Sequence, residues 1–124
     1  MRILLVDDDQ MVRAVCSNML QLMGHEVYPA VSGLDAIARL TADPLLFDLV
    51  LLDDSMPEMD GLATLQQIQE LGLSLRIVII SGGNTSIERY HVAEHVRPLG
   101  ILSKPFSLQR LSDALNLART NPSS

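Results

Sequence analysis

The sequence is poor in several residue types, and each shortage excludes a class of protein. A single cysteine, Cys16, stands among 124 residues, so no internal disulfide can form, and a reducing, cytoplasmic location is expected. The longest apolar runs are only about four residues, far short of the roughly 20 that a membrane-spanning helix needs, so we expect no membrane segment. Basic residues number 9 against 15 acidic ones, and the net charge of −6 argues against direct binding of nucleic acid.

The remaining composition indicates one folded domain. Hydrophobic residues make up 48% of the chain and charged residues 19%, which is too apolar for a disordered protein and sufficient for one core. We assign residues 1–119 to this domain. Residues 120–124, with the sequence Thr-Asn-Pro-Ser-Ser, are predicted to form a tail or the start of a linker.

Five segments have the character of β-strands. Three of them are apolar quartets that do not alternate with polar residues, which is typical of strands covered on both faces of a parallel sheet. The predicted strands are 3–6, 26–30, 49–52, 77–80 and 99–102, of which the second and the last are weaker.

Apolar residues at helical spacing fill the intervals between these strands. The predicted helices are 10–23, 34–40, 62–71, 87–96 and 108–118, of which the fourth is weak. Asp9 and Asp60 are candidate N-caps, whereas Gly24 and Gly72 are natural C-terminal stops. Strands that alternate with helices predict an α/β fold with a doubly wound parallel sheet and right-handed crossovers.

Polar residues follow four of the predicted strands. Three aspartates beginning at Asp7 follow the first strand, Asp53 and Asp54 the third, Ser81 the fourth, and Lys104, the only lysine, the fifth. The carboxyl ends of parallel strands share one edge of the sheet, where open α/β sheets bind their ligands. We therefore expect these side chains to meet there.

Crowded carboxylates at one edge need a compensating positive charge. Two unit charges about 4 Å apart repel by about 4 kcal/mol at an effective dielectric of about 20, so three ionised aspartates require a cation or a raised pKa. Oxygen ligands in a small site favour Mg²⁺ over Zn²⁺. Such an ion and Lys104 together could balance an incoming phosphoryl group, to which the Ser81 hydroxyl would donate a hydrogen bond.

Four motifs, in this order and at these strand ends, resemble the receiver domain of response regulators, the CheY-like fold of two-component phosphorelay systems. They are Val6-Asp7-Asp8, residues 52–61 (Leu-Asp-Asp-Ser-Met-Pro-Glu-Met-Asp-Gly), Ile80-Ser81-Gly82 and Ser103-Lys104-Pro105-Phe106. The resemblance extends from residue 3 to about residue 119. It implies a flavodoxin-like sheet of five parallel strands in the order 2-1-3-4-5.

The resemblance also implies a magnesium site. Asp8 matches the acid that binds Mg²⁺ directly, and Asp7 matches its partner, which often acts through water. Asp53 belongs to the same site, and Ser55 matches the position whose backbone carbonyl completes it.

For phosphoryl transfer, the resemblance implies that Asp53 is the phosphate-accepting residue. Its carboxylate would attack phosphorus in line, with the phosphohistidine of a histidine kinase or a histidine phosphotransfer protein as leaving group. Ser81 matches the residue whose hydroxyl turns toward a phosphoryl oxygen, and Lys104 matches the lysine that pairs with the phosphoryl group. Such a domain is a phosphorylation-controlled binding module and not an enzyme.

One position departs from the pattern of the family. The residue three before the lysine is usually aromatic and swings between two positions, but here it is Ile101. The route of signal output is therefore open, with Tyr90 as a candidate substitute. The fourth and fifth predicted helices are the expected surface for homodimerisation or for an output partner.

Other functions stay open at this point. Asp7-x-Asp9 with Ser81 and Lys104 gives some support to a Mg²⁺-dependent phosphohydrolase of the haloacid-dehalogenase type, although that class has Thr or Val where Met11 stands. A degenerate receiver that serves only as a scaffold is a further alternative, against which the complete set of site residues argues. The segment 91–95 (His-Val-Ala-Glu-His) matches an inverted zinc-protease motif, but no third ligand is evident, so an exposed helix face is favoured.

Overall fold

The computed structural model describes residues 1–83, 87–91 and 98–120. The strands are β1 (Arg2–Val6), β2 (Glu26–Ala30), β3 (Leu49–Asp53), β4 (Ile77–Ser81) and β5 (Gly100–Ser103). The helices in these ranges are α1 (Gln10–Leu22), α2 (Gly33–Ala42), α3 (Gly61–Glu70) and α4 (Leu108–Thr120), with a short 3-10 helix at Ile87–Tyr90. None of the described helices has the length and apolar composition needed to cross a bilayer.

All five strands run parallel in one sheet of order β2-β1-β3-β4-β5, which confirms the predicted fold class and strand order. The register pairs Val6 with Leu52 and Ser81 with Ser103. The last residues of neighbouring strands therefore lie side by side, and the residues that follow them emerge at one edge of the sheet.

Both faces of the sheet are covered, which explains why the strand sequences are apolar without alternation. Along β1, Leu4 and Val6 belong to the core that includes α2 and α3, whereas Ile3 and Leu5 belong to the core that includes α1 and α4. All four side chains are fully buried. Burial of one such side chain contributes about 1.5–3 kcal/mol, so a polar residue at any position of the quartet would be costly.

The helix ends carry the predicted caps and stops. The Asp9 carboxylate accepts hydrogen bonds from N–H groups at the start of α1 at 2.9 and 3.2 Å, and Asp60 accepts one at the start of α3 at 2.8 Å. Gly24 and Gly72, which follow α1 and α3, have φ values of 89° and 72°, in the left-handed region that favours glycine. All four predictions are confirmed.

The fourth predicted helix differs from expectation in its described part. Residues 87–91 form the 3-10 helix and a turn at His91, whereas residues 92–97 lie outside the described residues. Ile87 and Tyr90 are three residues apart, and this spacing suits a 3-10 helix, in which such residues lie directly above one another. Tyr90 is fully buried and anchors the short helix in the core beside α2 and α3.

Candidate functional site

The edge of the sheet at the carboxyl ends of the strands carries a group of three aspartates, here named the acid cluster: Asp7, Asp8 and Asp53. Asp7 follows β1 and Asp53 ends β3, and both are buried, whereas Asp8 is exposed. Each offers a carboxylate oxygen, and these three oxygens lie within 4.8 Å of one another. The structure thus brings together the three acids that the sequence singled out as metal ligands.

Lys104, which follows β5, joins the acid cluster through two ion pairs. Its Nζ lies 3.2 Å from Oδ1 of Asp53 and 3.1 Å from Oδ2 of Asp7. Its backbone N–H donates to the carbonyl of Ser81 at 2.7 Å, so the end of β4 holds the lysine in place. Burial alone would lower the pKa of Lys104, but the two carboxylates outweigh burial and raise this pKa above its usual value. The ammonium group is therefore charged at neutral pH.

Asp53 lies in surroundings that disfavour its negative charge. Burial and the neighbouring charge of Asp7 raise the pKa of Asp53 to about 6, against the opposing effects of Lys104 and of the Ser55 N–H that bonds to the carboxylate. When the whole acid cluster is ionised, three carboxylates face one ammonium group, so two negative charges are uncompensated. This deficit equals the charge of one divalent cation, and clustered carboxylate oxygens suit Mg²⁺. The residues present therefore fit this ion.

The two serines of the predicted site lie at the end of β4 and just after β3. Ser81 is buried, and its hydroxyl accepts a hydrogen bond from the Gly83 N–H at 3.2 Å and donates one to the Gly83 carbonyl at 3.3 Å. Ser55 contributes its N–H to the Asp53 carboxylate, whereas the role of its carbonyl as a metal ligand stays a prediction. Asp54 is half-buried and does not belong to the acid cluster.

One residue at this edge was not singled out by the sequence. Arg13, in α1, donates from Nη1 to the backbone carbonyl of Asp7 at 2.6 Å. Helical spacing does not distinguish it from a solvent-facing arginine, because the contact depends on where α1 lies relative to the end of β1. No signal in a single sequence could have found it.

The start of α3 lies against the end of β3. A Cβ on Gly61 would be 2.7 Å from the carbonyl oxygen of Asp53 and 3.2 Å from the hydroxyl of Tyr90, so a side chain has no room there. Tyr90 is fully buried at this point, whereas Ile101 on β5 is half-buried. An aromatic side chain therefore lies near the end of β3 although position 101 lacks one.

The described structure gives no support to a zinc site at the zinc-protease-like motif. His91 is exposed beside the 3-10 helix, and His95 lies outside the described residues. Within the ranges that the structure describes, the acid cluster is the one group of three or more potential ligand side chains close enough to share an ion.

An apolar groove of about 490 Å³ adjoins the acid cluster between α1 and the segment that follows β5. Its lining includes Met11, Val15 and Cys16 from α1, and Lys104 and Phe106 from the other side. Met11 and Val15 are exposed by 75% and 55% of their surface. The groove therefore offers a partner an apolar surface that reaches the lysine of the site.

Comparison with known proteins agrees with this arrangement. The family model of the response regulator receiver domain matches residues 3–116. The transcriptional regulatory protein ZraR of Salmonella typhimurium is 38% identical over 116 residues, which are 94% of this chain and 26% of that protein. The sensor histidine kinase RcsC of Salmonella typhi is 34% identical over 115 residues, which are 93% of this chain and 12% of that protein. The chain thus spans about a quarter or less of the length of these relatives.

A solved structure has the same fold over nearly the whole chain. The response regulator receiver domain protein from Clostridium thermocellum superimposes with a TM-score of 0.81 at 26% identity, covering 94% of this chain and 92% of that one. The family match, the strand order and the acidic edge of the sheet lead to one conclusion. This chain belongs to the response regulator receiver domains of two-component systems.

Proposed function

We propose that this receiver domain accepts a phosphoryl group on Asp53 from the phosphohistidine of a histidine kinase or a histidine phosphotransfer protein, in a Mg²⁺-dependent reaction. The observation that carries the proposal is the position of the Asp53 carboxylate. It lies 3.2 Å from the Lys104 ammonium and shares the acid cluster with Asp7 and Asp8. A nucleophile between a fixed cation and a set of metal ligands suits phosphoryl transfer, in which catalysis is mostly positioning and charge neutralisation.

The transfer step needs no covalent participant other than Asp53. A carboxylate oxygen forms the bond to phosphorus while the P–N bond to the donor imidazole breaks, and the electron pair of that bond stays on the imidazole nitrogen. Lys104 pairs with a phosphoryl oxygen, and the Ser81 hydroxyl donates to another. The acid cluster and the Ser55 carbonyl would hold Mg²⁺, which would supply further neutralisation of the charge on the transferred group.

The phosphoryl group carries enough interaction energy to switch a surface. Charge-assisted hydrogen bonds from Lys104 and Ser81 contribute about 1.5–3 kcal/mol each, or about 3–6 kcal/mol together. A shift of a two-state equilibrium from about 1:99 to 99:1 needs about 5.5 kcal/mol. We assign the responding surface to α4 and to the fourth predicted helix, of which residues 92–96 lie outside the described ranges, and a second copy or an output partner would bind there.

The apolar groove is the docking surface that we assign to the phosphodonor protein. Because Lys104 lines the groove and is paired with Asp53, a donor seated there brings its phosphohistidine to the acceptor. The sequence of α1 carries one charged residue, Arg13, so this helix presents an almost neutral face. An apolar helix face of the donor is the complementary partner.

Intact-mass measurement after incubation with Mg²⁺ and acetyl phosphate or phosphoramidate tests the proposal. We expect the gain of a single phosphoryl group that is stable in acid and labile in base. Asp53→Asn should abolish this gain, and Asp54→Asn, the matched control one residue further on, should retain it. The reverse result would refute the assignment of the acceptor.

The same assay separates the alternative functions. A phosphohydrolase of the haloacid-dehalogenase type would turn over many equivalents of an aryl phosphate, and a degenerate scaffold would gain no phosphoryl group. We expect neither result, since we propose that the chain is a phosphoacceptor signalling domain that loses its phosphoryl group slowly and is not an enzyme.

In this proposal the domain spans residues 1–119, and residues 120–124 are a tail or the start of a linker. The protein is in the cytoplasm, where the free thiol of Cys16 stays reduced.

A further inference from the structure

Three polar atoms of Asp7 make hydrogen bonds, and the fourth, Oδ2, has an ion-pair partner only. Its N–H donates to the Ala30 carbonyl at 3.1 Å, and its carbonyl accepts from Arg13 Nη1 at 2.6 Å. Its Oδ1 accepts from the Asp9 N–H at 2.9 Å, and its Oδ2 lies 3.1 Å from the Lys104 Nζ. The two backbone contacts hold the main chain of this fully buried residue, and the contacts of Oδ1 and Oδ2 hold its carboxylate.

Arg13 makes hydrogen bonds to both ends of the loop that joins β1 to α1. Its backbone N–H donates to the Asp9 carbonyl at 3.0 Å, while its guanidinium donates to the Asp7 carbonyl. The strand pairing of β1 ends at Val6, so the Asp7 carbonyl lies just beyond the paired part of the strand. Asp8 is the residue between these two anchor points. One residue of α1 therefore fixes the backbone that carries two of the three acids of the acid cluster.

We infer that Arg13 is a positioning residue for Mg²⁺ binding: its hydrogen bond to the Asp7 carbonyl directs the carboxylates of Asp7 and Asp8 toward Asp53. Arg13 acts through the backbone of the metal ligands and touches no reacting atom. The inference rests on the proposed function, because it needs Mg²⁺ at the acid cluster.

The charge of Arg13 and its hydrogen bond to Asp7 predict opposite effects on Mg²⁺ affinity when Arg13 is replaced. The guanidinium brings a positive charge close to a cation site, so its removal should strengthen Mg²⁺ binding by relieving repulsion. Loss of the hydrogen bond should instead weaken binding, because the groups that orient metal ligands are worth about 10–100-fold in affinity. The direction of the change therefore distinguishes a positioning role from a purely electrostatic one.

Calorimetric titration of the metal-free protein with MgCl₂, without any phosphodonor, tests the inference. Arg13→Met removes the charge and the hydrogen bond, and we expect the Kd for Mg²⁺ to rise about tenfold. Arg13→Lys keeps the charge and one donor group, so it should recover part of the affinity. Arg39→Met makes the same change of charge on α2, where Arg39 pairs with Asp35 at 3.4 Å, and should leave the Kd unchanged.

A second readout needs no metal. The Asp9 N–H bonds to the Asp7 carboxylate, so its amide hydrogen should exchange faster in metal-free Arg13→Met than in the wild type. Circular dichroism establishes that each variant is folded at the titration temperature, and Arg13→Lys carries the test if Arg13→Met is not folded.

The Kd values of the variants distinguish a positioning role of Arg13 from its absence. A raised Kd in Arg13→Met, with partial recovery in Arg13→Lys, supports the inference. A Kd equal to or below that of the wild type overturns it while the Mg²⁺ site stands, and so does an equal loss in Arg39→Met. A wild-type protein that binds no Mg²⁺ overturns both the inference and the metal site of the proposed function.

Discussion

At the scale of single residues, the buried carboxylate of Asp53 costs the metal-free protein stability. Its pKa is raised from 3.8 to about 6 by burial and by Asp7. An acid with a raised folded-state pKa contributes its stability below the unfolded-state pKa and loses that contribution as the pH rises through the folded-state value. The free energy of unfolding that depends on protonated Asp53 is therefore lost between about pH 4 and pH 7.

Asp53→Asn should stabilise the metal-free protein at pH 8 by about 1–3 kcal/mol, because the amide carries no charge to desolvate. The difference from the wild type should shrink as the pH falls toward 4. Chemical denaturation in EDTA at several pH values measures both effects. Asp54→Asn is the control, and a difference for Asp53→Asn that is as large at pH 4 as at pH 8 would contradict the prediction.

The meeting of Asp7, Asp53 and Lys104 at one edge could be predicted from the sequence, since each lies at or just after the end of an apolar strand segment and the chain has no other lysine. A parallel sheet places such residues at one edge whatever the details of the loops. The hydrogen bond from Arg13 to Asp7 could not be predicted, because it depends on the position of α1 relative to β1. The deep burial of Tyr90 likewise follows from packing against α3 and not from local spacing.

At the scale of secondary-structure elements, the approach of α3 to β3 tolerates no side chain at Gly61. Gly61→Ala would place a Cβ 2.7 Å from the Asp53 carbonyl oxygen and 3.0 Å from the Asp54 Cα, which are backbone atoms that cannot move independently. We expect the free energy of unfolding to fall by about 1–3 kcal/mol, with slower phosphorylation of Asp53.

The matched control for this substitution is Gly82→Ala, since among the described residues no heavy atom outside its chain neighbours lies within 4 Å of its added Cβ. Its unfolding free energy should stay within about 0.5 kcal/mol of the wild type. Thermal or denaturant unfolding of the two variants compares them directly. Equal losses for both would show that the close approach of α3 to β3 is not the cause.

The exposed face of α1 provides a test of donor docking. Val15→Asp puts a charge into the apolar groove, so phosphotransfer from a phosphohistidine protein that serves the wild type should slow about tenfold or more. Phosphorylation by acetyl phosphate should be unaffected, because this small donor does not need the groove. Leu45→Asp alters an apolar residue that is 93% exposed before β3, at the opposite edge of the sheet, and should change neither rate.

The strands could be predicted from the sequence, whereas the 3-10 form of the described start of the fourth predicted helix could not, for one physical reason. Strands buried on both faces, such as β3 and β4, leave an unbroken apolar signature that a short helix cannot imitate. The segment that begins at Ile87 has few apolar residues, and the step from Ile87 to Tyr90 fits both an α-helix and a 3-10 helix. The burial of Tyr90 in the core, and not the local spacing, favours the 3-10 helix over an α-helix.

At the scale of the whole molecule, the net charge of −6 is distributed unevenly, with the acid cluster at one edge of the sheet. A ligand that binds only the folded state stabilises it by mass action. Mg²⁺ at 100 times its Kd should therefore add about 2.7 kcal/mol and raise Tm by roughly 10 °C.

Differential scanning calorimetry with Mg²⁺, and after its removal with EDTA, measures this shift. Asp8→Asn should abolish the shift at little structural cost, because Asp8 is the exposed member of the acid cluster. NaCl at matched ionic strength controls for general screening. An equal rise of Tm in NaCl or in Asp8→Asn would show that the stabilisation does not come from a bound ion.

The buried position of Cys16 makes the alkylation rate of its thiol a probe of local opening. Its sulfur is covered beneath α1, and burial, with the charge of Asp7, raises the pKa of its thiol to about 12, so alkylating reagents meet an unreactive neutral group in the closed protein. Labelling must then wait for a local opening that exposes the sulfur. In a chain without tryptophan, the labelling rate of Cys16 measures how often its sulfur becomes accessible, and this rate can be compared with and without Mg²⁺ or a phosphoryl donor.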